Sequence, residues 1–275
     1  MSPIPRNIST PHSDKNGSPK HDHNVAYEPR MVQVPAGPFW MGSSEDHVMM
    51  LLENEDWAHE WHEDGLFRIE QPCTQVMGKA FEIGKNPVTN LEYFSFVWKT
   101  GYRVPKGWVG FKFSEGMELL PVVNVSKIDT EAYCAWLKEM TGKDYRLPTE
   151  GEWERAASGT DGRIYPWGDE FDPWRCNTKD SGKGGPTPIG SYSPAGDSPV
   201  GAVDMSGNVY EWTSDILLPY PYGEVPPGPP KETRYVVRGG AWYYSHRLAR
   251  CQSREGQMAD HVSAAVGFRI ARSLE

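Results

Sequence analysis

The sequence predicts an α+β fold with much irregular structure. Three helix-start patterns lie in the middle of the chain, at residues 89–92, 126–129 and 149–152, and no long helical period follows Gly159. The 28 glycines and 24 prolines favour turns and short strands over a helical bundle. Hydrophobic residues make up only 38% of the chain, but 11 tryptophans and 13 tyrosines supply large surfaces for burial.

Short strands are expected at the start of the ordered part. Residues 31–42 alternate apolar and small side chains and end in glycine turns, which predicts a strand, a turn and a second strand. Residues 43–65 are acidic and contain Trp57 and Trp61, so we expect an irregular insertion that is partly helical through 49–57. Residues 76–83 have the pattern of a further strand.

The three helix-start patterns are capping boxes. In each, a hydroxyl accepts a hydrogen bond from the third backbone N–H while an acidic side chain reaches back to the cap. The pairs are Thr89 with Glu92, Ser126 with Asp129, and Thr149 with Glu152. Gly101 and Gly142 are the expected C-terminal stops of the first two helices.

The net charge limits the classes of partner. A formal net charge of −9 argues against nucleic acid or an anionic membrane as the main partner. No segment approaches the roughly 20 apolar residues of a transmembrane helix.

The leader and the cysteines predict a compartment. Residues 1–29 are polar and lack the apolar region of a signal peptide, which predicts a disordered leader. The cysteines, at positions 73, 134, 176 and 251, have no C-x-x-C spacing. They are expected to be reduced thiols, which predicts a cytoplasmic protein.

Six motifs occur in the order typical of one known family. They are Pro87-Val-Thr-Asn90, Arg146-Leu-Pro-Thr-Glu-Gly-Glu-Trp-Glu154, Tyr165-Pro-Trp-Gly168, Gly207-Asn-Val-Tyr-Glu-Trp212, Arg238-Gly-Gly240 and Gly267-Phe-Arg269. Together they span roughly residues 31–272, and the chain resembles the formylglycine-generating enzyme, or sulfatase-modifying factor, family. The resemblance implies a single compact C-type-lectin-like domain, which we place at residues 30–275.

Two calcium sites are predicted. Hard oxygen donors that lie close in sequence on a turn suit Ca²⁺, and the resemblance maps one structural site onto Asp204, the carbonyls near Gly207 and Val209, and Glu211. A second site would use Asn177 and the Thr178 carbonyl, with Asp180, Ser181 or Gly182. The alternative is ordinary turn chemistry, because Asp, Asn and Gly are common turn residues.

Cys251 is the centre of the catalytic question. In the family that the chain resembles, two cysteines five residues apart bind Cu(I) as thiolates, activate O₂ and oxidise a substrate cysteine. Cys251 falls at the second position, but His246 stands five residues earlier, which argues against that copper site. Arg247, Arg250 and Arg254 would favour a thiolate, and we predict Cys251, His246 and Arg250 as catalytic residues. The alternative is that Cys251 is a buried core residue.

A three-histidine iron site is a further possibility. His59 and His62 would share one face of a helix, and His246 or His261 would complete the site. The alternative is a polar surface insertion.

The residues after the Arg238-Gly-Gly240 turn are predicted to bind substrate. The resemblance implies a groove lined there, to which we assign Trp242, Tyr243, Tyr244, Ser245 and Arg254. Trp242 is also a candidate core residue, as tryptophans in these motifs often are. The proline-rich residues 219–230 are expected to form an exposed loop beside the groove.

Three functions remain. The first is a diverged, metal-dependent enzyme that uses O₂, with copper or iron, to oxidise a peptide or a small metabolite. The second is a non-catalytic C-type-lectin-like binding module, as in the variable proteins of diversity-generating retroelements. An accessory protein of a true generator is a third possibility.

Overall fold

A computed structural model describes residues 28–220, 223 and 232–274. The predicted leader therefore lies outside the described residues except for Glu28 and Pro29, and so does most of the predicted loop at 219–230. The described chain folds into five α-helices and three small sheets, which confirms the α+β prediction.

The N-terminal strands form two of the sheets. β1 (Met31–Val34) pairs antiparallel with β4 (Phe81–Gly84), and β2 (Gly37–Met41) pairs antiparallel with β3 (Thr74–Gly78). The strands predicted in 31–42 and 76–83 are therefore present. The short C-terminal strand β9 (Ala271–Ser273) joins the other edge of β4, so the first and last strands of the described residues lie in one sheet.

The insertion at 43–65 is more regular than predicted. It forms two helices, α1 (Glu45–Asn54) and α2 (Asp56–Glu63), and the expectation of an irregular segment was wrong. The reason is the helical spacing of its apolar residues, because Val48, Leu51, Ala58 and Trp61 are all buried against one cluster. Ser44 begins α1 by accepting a hydrogen bond from the His47 backbone at 3.1 Å.

The three capped helices begin where the sequence predicts. They are α3 (Asn90–Thr100), α4 (Lys127–Thr141) and α5 (Glu150–Ser158), and each has both halves of its capping box. Gly101 and Gly142 end α3 and α4 with φ of 68° and 71°, a left-handed conformation that a side chain would strain. No described helix is long and apolar enough to cross a membrane.

The C-terminal sheet carries the arginine motifs. Its strands are β5 (Tyr210–Ile216), β6 (Tyr235–Arg238), β7 (Arg254–Gln257) and β8 (Val266–Phe268), in the order β7-β6-β5-β8. β5 runs antiparallel to β6 and parallel to β8. One face packs Trp212 and Phe268 into the main core with aromatic residues of α3 and α4.

Buried ion pairs connect this sheet to the rest of the chain. Four C-terminal arginines are at most 4% exposed, and each contacts a glutamate from another element. The pairs are Arg238 with Glu150 and Glu154, Arg254 with Glu150, Arg250 with Glu70, and Arg269 with Glu211. Removing one partner of such a pair leaves an uncompensated buried charge, at a cost of about 3–5 kcal/mol.

Candidate functional site

Cys251 lies in the core. Its residue exposure is 0%, its backbone N–H donates to the Ile164 carbonyl at 2.7 Å, and it packs in an apolar cluster with Trp153 of α5. Burial raises the pKa of the thiol, the charge of Glu154 raises it further, and Arg238 only partly offsets them. The thiol is therefore protonated at neutral pH, which favours the interpretation of Cys251 as a packing residue.

His246 lies between two carboxylates. Its Nδ1 is 3.2 Å from Oδ2 of Asp180, which also accepts the His246 backbone N–H at 2.9 Å. On the other side of the ring, Nε2 is 3.1 Å from Oε2 of Glu55. The imidazole also stacks on Phe171, with ring centroids 4.1 Å apart. Burial alone would raise the pKa of Asp180, but the hydrogen bonds and charge of His246 outweigh it and lower that pKa.

Trp57 gives the His246 ring a partner in either protonation state. The indole N–H is 2.8 Å from Oε2 of Glu55 and 3.2 Å from Nε2 of His246. An unprotonated Nε2 accepts from Trp57, whereas a protonated Nε2 donates to Glu55. These contacts hold the junction of α1 and α2 against the segment that contains His246.

The structure does not bring the three predicted catalytic side chains into one site. Arg250 makes a bidentate pair with Glu70, at 2.7 and 2.8 Å, and stacks on Trp61 and Phe67. His246 contacts Trp57 and Phe171, and Arg250 shares Trp57 with it, because its guanidinium carbon is 5.4 Å from the centroid of that ring. Cys251 lies in a separate cluster with Trp153 of α5.

The donors of a redox metal are also dispersed. Within 28–220, 223 and 232–274, no three His, Cys, Asp or Glu side chains are grouped to hold a metal ion. His59 and His62 are exposed on α2, which agrees with the polar-surface alternative for the insertion.

The predicted substrate residues divide into two groups. Trp242, Tyr243 and Tyr244, which we call the aromatic surface, form a chain of edge-to-face contacts with centroids 5.5 Å apart. Tyr243 is 63% exposed and Tyr244 38%. Ser245 follows directly and precedes the short 3₁₀ turn His246–Leu248. Arg254, in contrast, is buried in a bidentate pair with Glu150 and does not reach this surface.

The first predicted calcium site has one fitting side chain. Burial raises the pKa of Asp204 to about 6, so its carboxylate lacks a sufficient counter-charge and suits a cation. Glu211 does not fit, because both of its oxygens accept from Arg269, at 2.6 and 2.7 Å, and one also accepts from Trp153. The Gly207 backbone N–H donates to the Gly239 carbonyl, which fixes the turn before Val209.

The oxygens of the second predicted site already accept hydrogen bonds. The Oδ1 of Asn177 and the carbonyl of Thr178 both accept from the Ser181 hydroxyl, at 2.9 and 2.8 Å. Asp180 is paired with His246, as described above. The turn is therefore closed by its own donors, as the turn-chemistry alternative supposes.

Asn208 is a site residue that the sequence reasoning missed. Its Oδ1 accepts from the Thr187 backbone at 2.9 Å and from Asn177 at 3.2 Å, which ties the two predicted calcium loops together. It adopts a left-handed φ of 63°. The Gly-Asn dipeptide was the available signal, because Asn tolerates this conformation in turns.

Comparisons with known proteins place this architecture in a family. The profile of the sulfatase-modifying factor enzyme 1-like domain, FGE-sulfatase, matches residues 16–274. The chain therefore belongs to the FGE-sulfatase family, and the resemblance seen in the six motifs is confirmed.

Individual relatives differ in their described activity. The formylglycine-generating enzyme of Streptomyces coelicolor is 39% identical, over 89% of each chain. The inactive Cα-formylglycine-generating enzyme 2 of Mus musculus is 30% identical, over 90% of this chain and 87% of that one. The structure of PvdO from Pseudomonas aeruginosa superposes with a TM-score of 0.69 and 26% identity, over 90% of this chain and 95% of that one.

Thiol alkylation tests the position of Cys251. Under native conditions iodoacetamide is expected to modify the half-buried Cys73, while Cys134, Cys176 and Cys251 react only after denaturation. Peptide mapping by mass spectrometry identifies the modified residue, and Cys73→Ser is the matched control that should stay unmodified. Native labelling of Cys251 at the rate of Cys73 would contradict the buried position.

Thermal unfolding across pH tests the calcium site. The raised pKa of Asp204 means that its ionised form is penalised in the fold, so in EDTA the stability of the wild type relative to Asp204→Asn should fall as pH rises from about 4 to above 6. At pH 7 Asp204→Asn should be the more stable protein, by at most about 3 kcal/mol. Calcium should stabilise the wild type and not Asp204→Asn. Equal stabilisation of both proteins would place the ion elsewhere.

Proposed function

We propose that this chain is a ligand-binding member of the family that recognises a polypeptide through the aromatic surface and has no oxidative activity of its own. The observation that carries the proposal is the position of Cys251. A fully buried thiol is out of reach of a substrate, and among the described residues no three His, Cys, Asp or Glu side chains are grouped to hold a metal ion.

The exposed aromatic side chains support a binding role. Tyrosine and tryptophan dominate the binding energy of protein interfaces, because they bury a large area at small conformational cost. Tyr243 and Tyr244 present such area to solvent. The exposed, oppositely charged Lys179 and Asp180 lie beside Tyr244 and supply a polar rim.

The backbone beneath the aromatic surface is fixed before any ligand binds. The Trp242 N–H donates to the Asn208 carbonyl at 3.0 Å, and the Tyr244 carbonyl accepts from Lys179 at 2.9 Å. The Trp242 indole N–H donates to the Ala264 carbonyl at 3.1 Å. Such preorganisation lowers the entropic cost of binding.

An O₂-using oxidative enzyme is the second candidate. It is favoured by the 39% identity to the formylglycine-generating enzyme of Streptomyces coelicolor and by the placement of His246 between Glu55 and Asp180. In that case His246 and Glu55 would supply donors to a copper or iron ion. Structural calcium, a cytoplasmic location and the lack of nucleic-acid or membrane partners stay predictions from the sequence.

A displayed peptide library tests the binding role. Peptides selected on the wild-type protein should lose about tenfold or more in affinity on the double variant Tyr243→Ala/Tyr244→Ala, as expected when two central aromatic residues are truncated. Trp174→Ala is the matched control, since Trp174 is 85% exposed on another loop and should leave affinity unchanged. Equal affinity for all three proteins, or no selected peptide, would refute the proposed surface.

An oxygen-consumption assay on the same protein preparation distinguishes a binding protein from an oxidative enzyme. Protein supplied with copper or iron, a thiol reductant and a Cys-x-Pro-x-Arg peptide is expected to consume no oxygen above the metal-only background and to form no formylglycine. Turnover that His246→Ala abolishes would establish the second candidate instead.

A further inference from the structure

An exposed hairpin follows helix α3 and carries apolar side chains at its tip. The Val109 N–H donates to the Lys112 carbonyl at 2.8 Å, and the Lys112 N–H donates to the Val109 carbonyl at 3.2 Å. Gly110 and Phe111 therefore form a two-residue turn, in which Gly110 has a φ of 61°. Val109 is 83% exposed and Phe111 is 50% exposed. We call residues 105–120 the hairpin segment.

The hairpin segment is tied to the body of the protein near both of its ends. The Asn124 side chain donates to the Lys106 carbonyl at 3.0 Å. The Asn90 side chain, at the start of α3, donates to the Met117 carbonyl at 2.8 Å. The exposed apolar tip is therefore held in place before any partner arrives, which lowers the entropic cost of association.

Aromatic rings extend the apolar surface from the hairpin to α3. Trp108 and Phe113, which flank the tip, have ring centroids 5.2 Å apart. Phe94 of α3 lies 6.0 Å from Phe113 and 5.8 Å from Trp98, measured between the same points. Trp98 is 48% exposed, so this row of rings reaches the surface at α3 as well as at the hairpin.

The exposed apolar area is sufficient for a small protein interface. Met117 and Leu119, on the turns after the hairpin, are 40% and 53% exposed. With Trp98, Val109 and Phe111 they offer roughly 400 Å² of apolar surface, a patch of a size that is often functional. Two such patches and their polar rims together approach the roughly 1,200 Å² of the smallest specific interfaces.

The charges beside the tip are of both signs. Lys112 and Glu115 are exposed, lie three residues apart, and have no ion-pair partner among the residues that the structure describes. An anionic lipid surface would attract the lysine and repel the glutamate. A second copy of the chain satisfies both, because a twofold axis that brings Lys112 of one copy to Glu115 of the other forms the same pair twice.

We propose that the hairpin segment is the contact surface of a symmetric homodimer. Val109 and Phe111 of the two copies pack against each other at the centre of the contact. Lys112 and Glu115 form two equivalent ion pairs at its rim. The proposal does not depend on the polypeptide ligand proposed above, because it uses no residue of the aromatic surface.

Sedimentation velocity of the full chain measures the association. The wild type should dimerise reversibly with a Kd on the order of 10 µM, as expected for a small interface. Phe111→Glu should raise the Kd about tenfold or more, because it places an unpaired charge at the centre of the contact. Trp174→Glu is the matched control, since Trp174 is 85% exposed on another loop and the Kd should stay unchanged.

Charge reversal identifies the pairing between the two copies. Lys112→Glu and Glu115→Lys should each dimerise about tenfold more weakly than the wild type, because each change sets like charges against each other twice. An equimolar mixture of these two variants should form a heterodimer about as tight as the wild-type dimer, since both contacts then join opposite charges.

Three results would overturn the homodimer. They are a wild type that stays monomeric about twentyfold above the expected Kd, a Phe111→Glu variant that dimerises like the wild type, and a mixture of charge variants that associates no better than either alone. A monomer that sediments with phosphatidylserine vesicles, and loses this on Phe111→Glu, would assign the hairpin segment to a lipid surface instead.

Discussion

The fold depends on buried pairs between arginines of the C-terminal third and glutamates that lie far earlier in the sequence. Three of these arginines donate two hydrogen bonds to one carboxylate: Arg250, Arg254 and Arg269. Their glutamate partners lie 58 to 180 residues away in sequence. A chain with short strands and long loops has few ladder hydrogen bonds to fix its register. Bidentate arginine–glutamate pairs fix that register, because a shift of one element against another would leave a buried charge without its partner.

The same pairs decide which residues face solvent near the candidate site. Arg250 pairs with Glu70 and Arg254 pairs with Glu150, both inside the protein. Cys251, which lies between the two arginines in sequence, is therefore in the core as well. The residues before them, Trp242 to Ser245, are left on the outside. His246 lies between these exposed residues and the buried ones, and it contacts Glu55 of the helical insertion, which is 191 residues away in sequence. Position along the chain thus separates the solvent-facing aromatic surface from the packing residues.

Local signals in the sequence predicted the local structure well. The capping boxes at Thr89, Ser126 and Thr149 need only residues three apart, and all three helices begin there. The insertion was misjudged because its acidic residues obscured the helical spacing of Val48 and Leu51. The roles of the C-terminal arginines could not be predicted from the neighbouring residues, because an arginine that lines a groove and an arginine that is buried have the same sequence context. Their long-range partners decide between the two.

A double-mutant cycle on Glu70 and Arg250 tests this dependence most directly. Glu70→Gln and Arg250→Met should each lower the free energy of unfolding by about 3–5 kcal/mol in urea. The double variant should lose much less than the sum, with a coupling of about 2 kcal/mol or more. The exposed pair Lys138 and Asp144 is the control, with an expected coupling below about 1 kcal/mol. A coupling for Glu70 and Arg250 as small as that of the control would contradict the account.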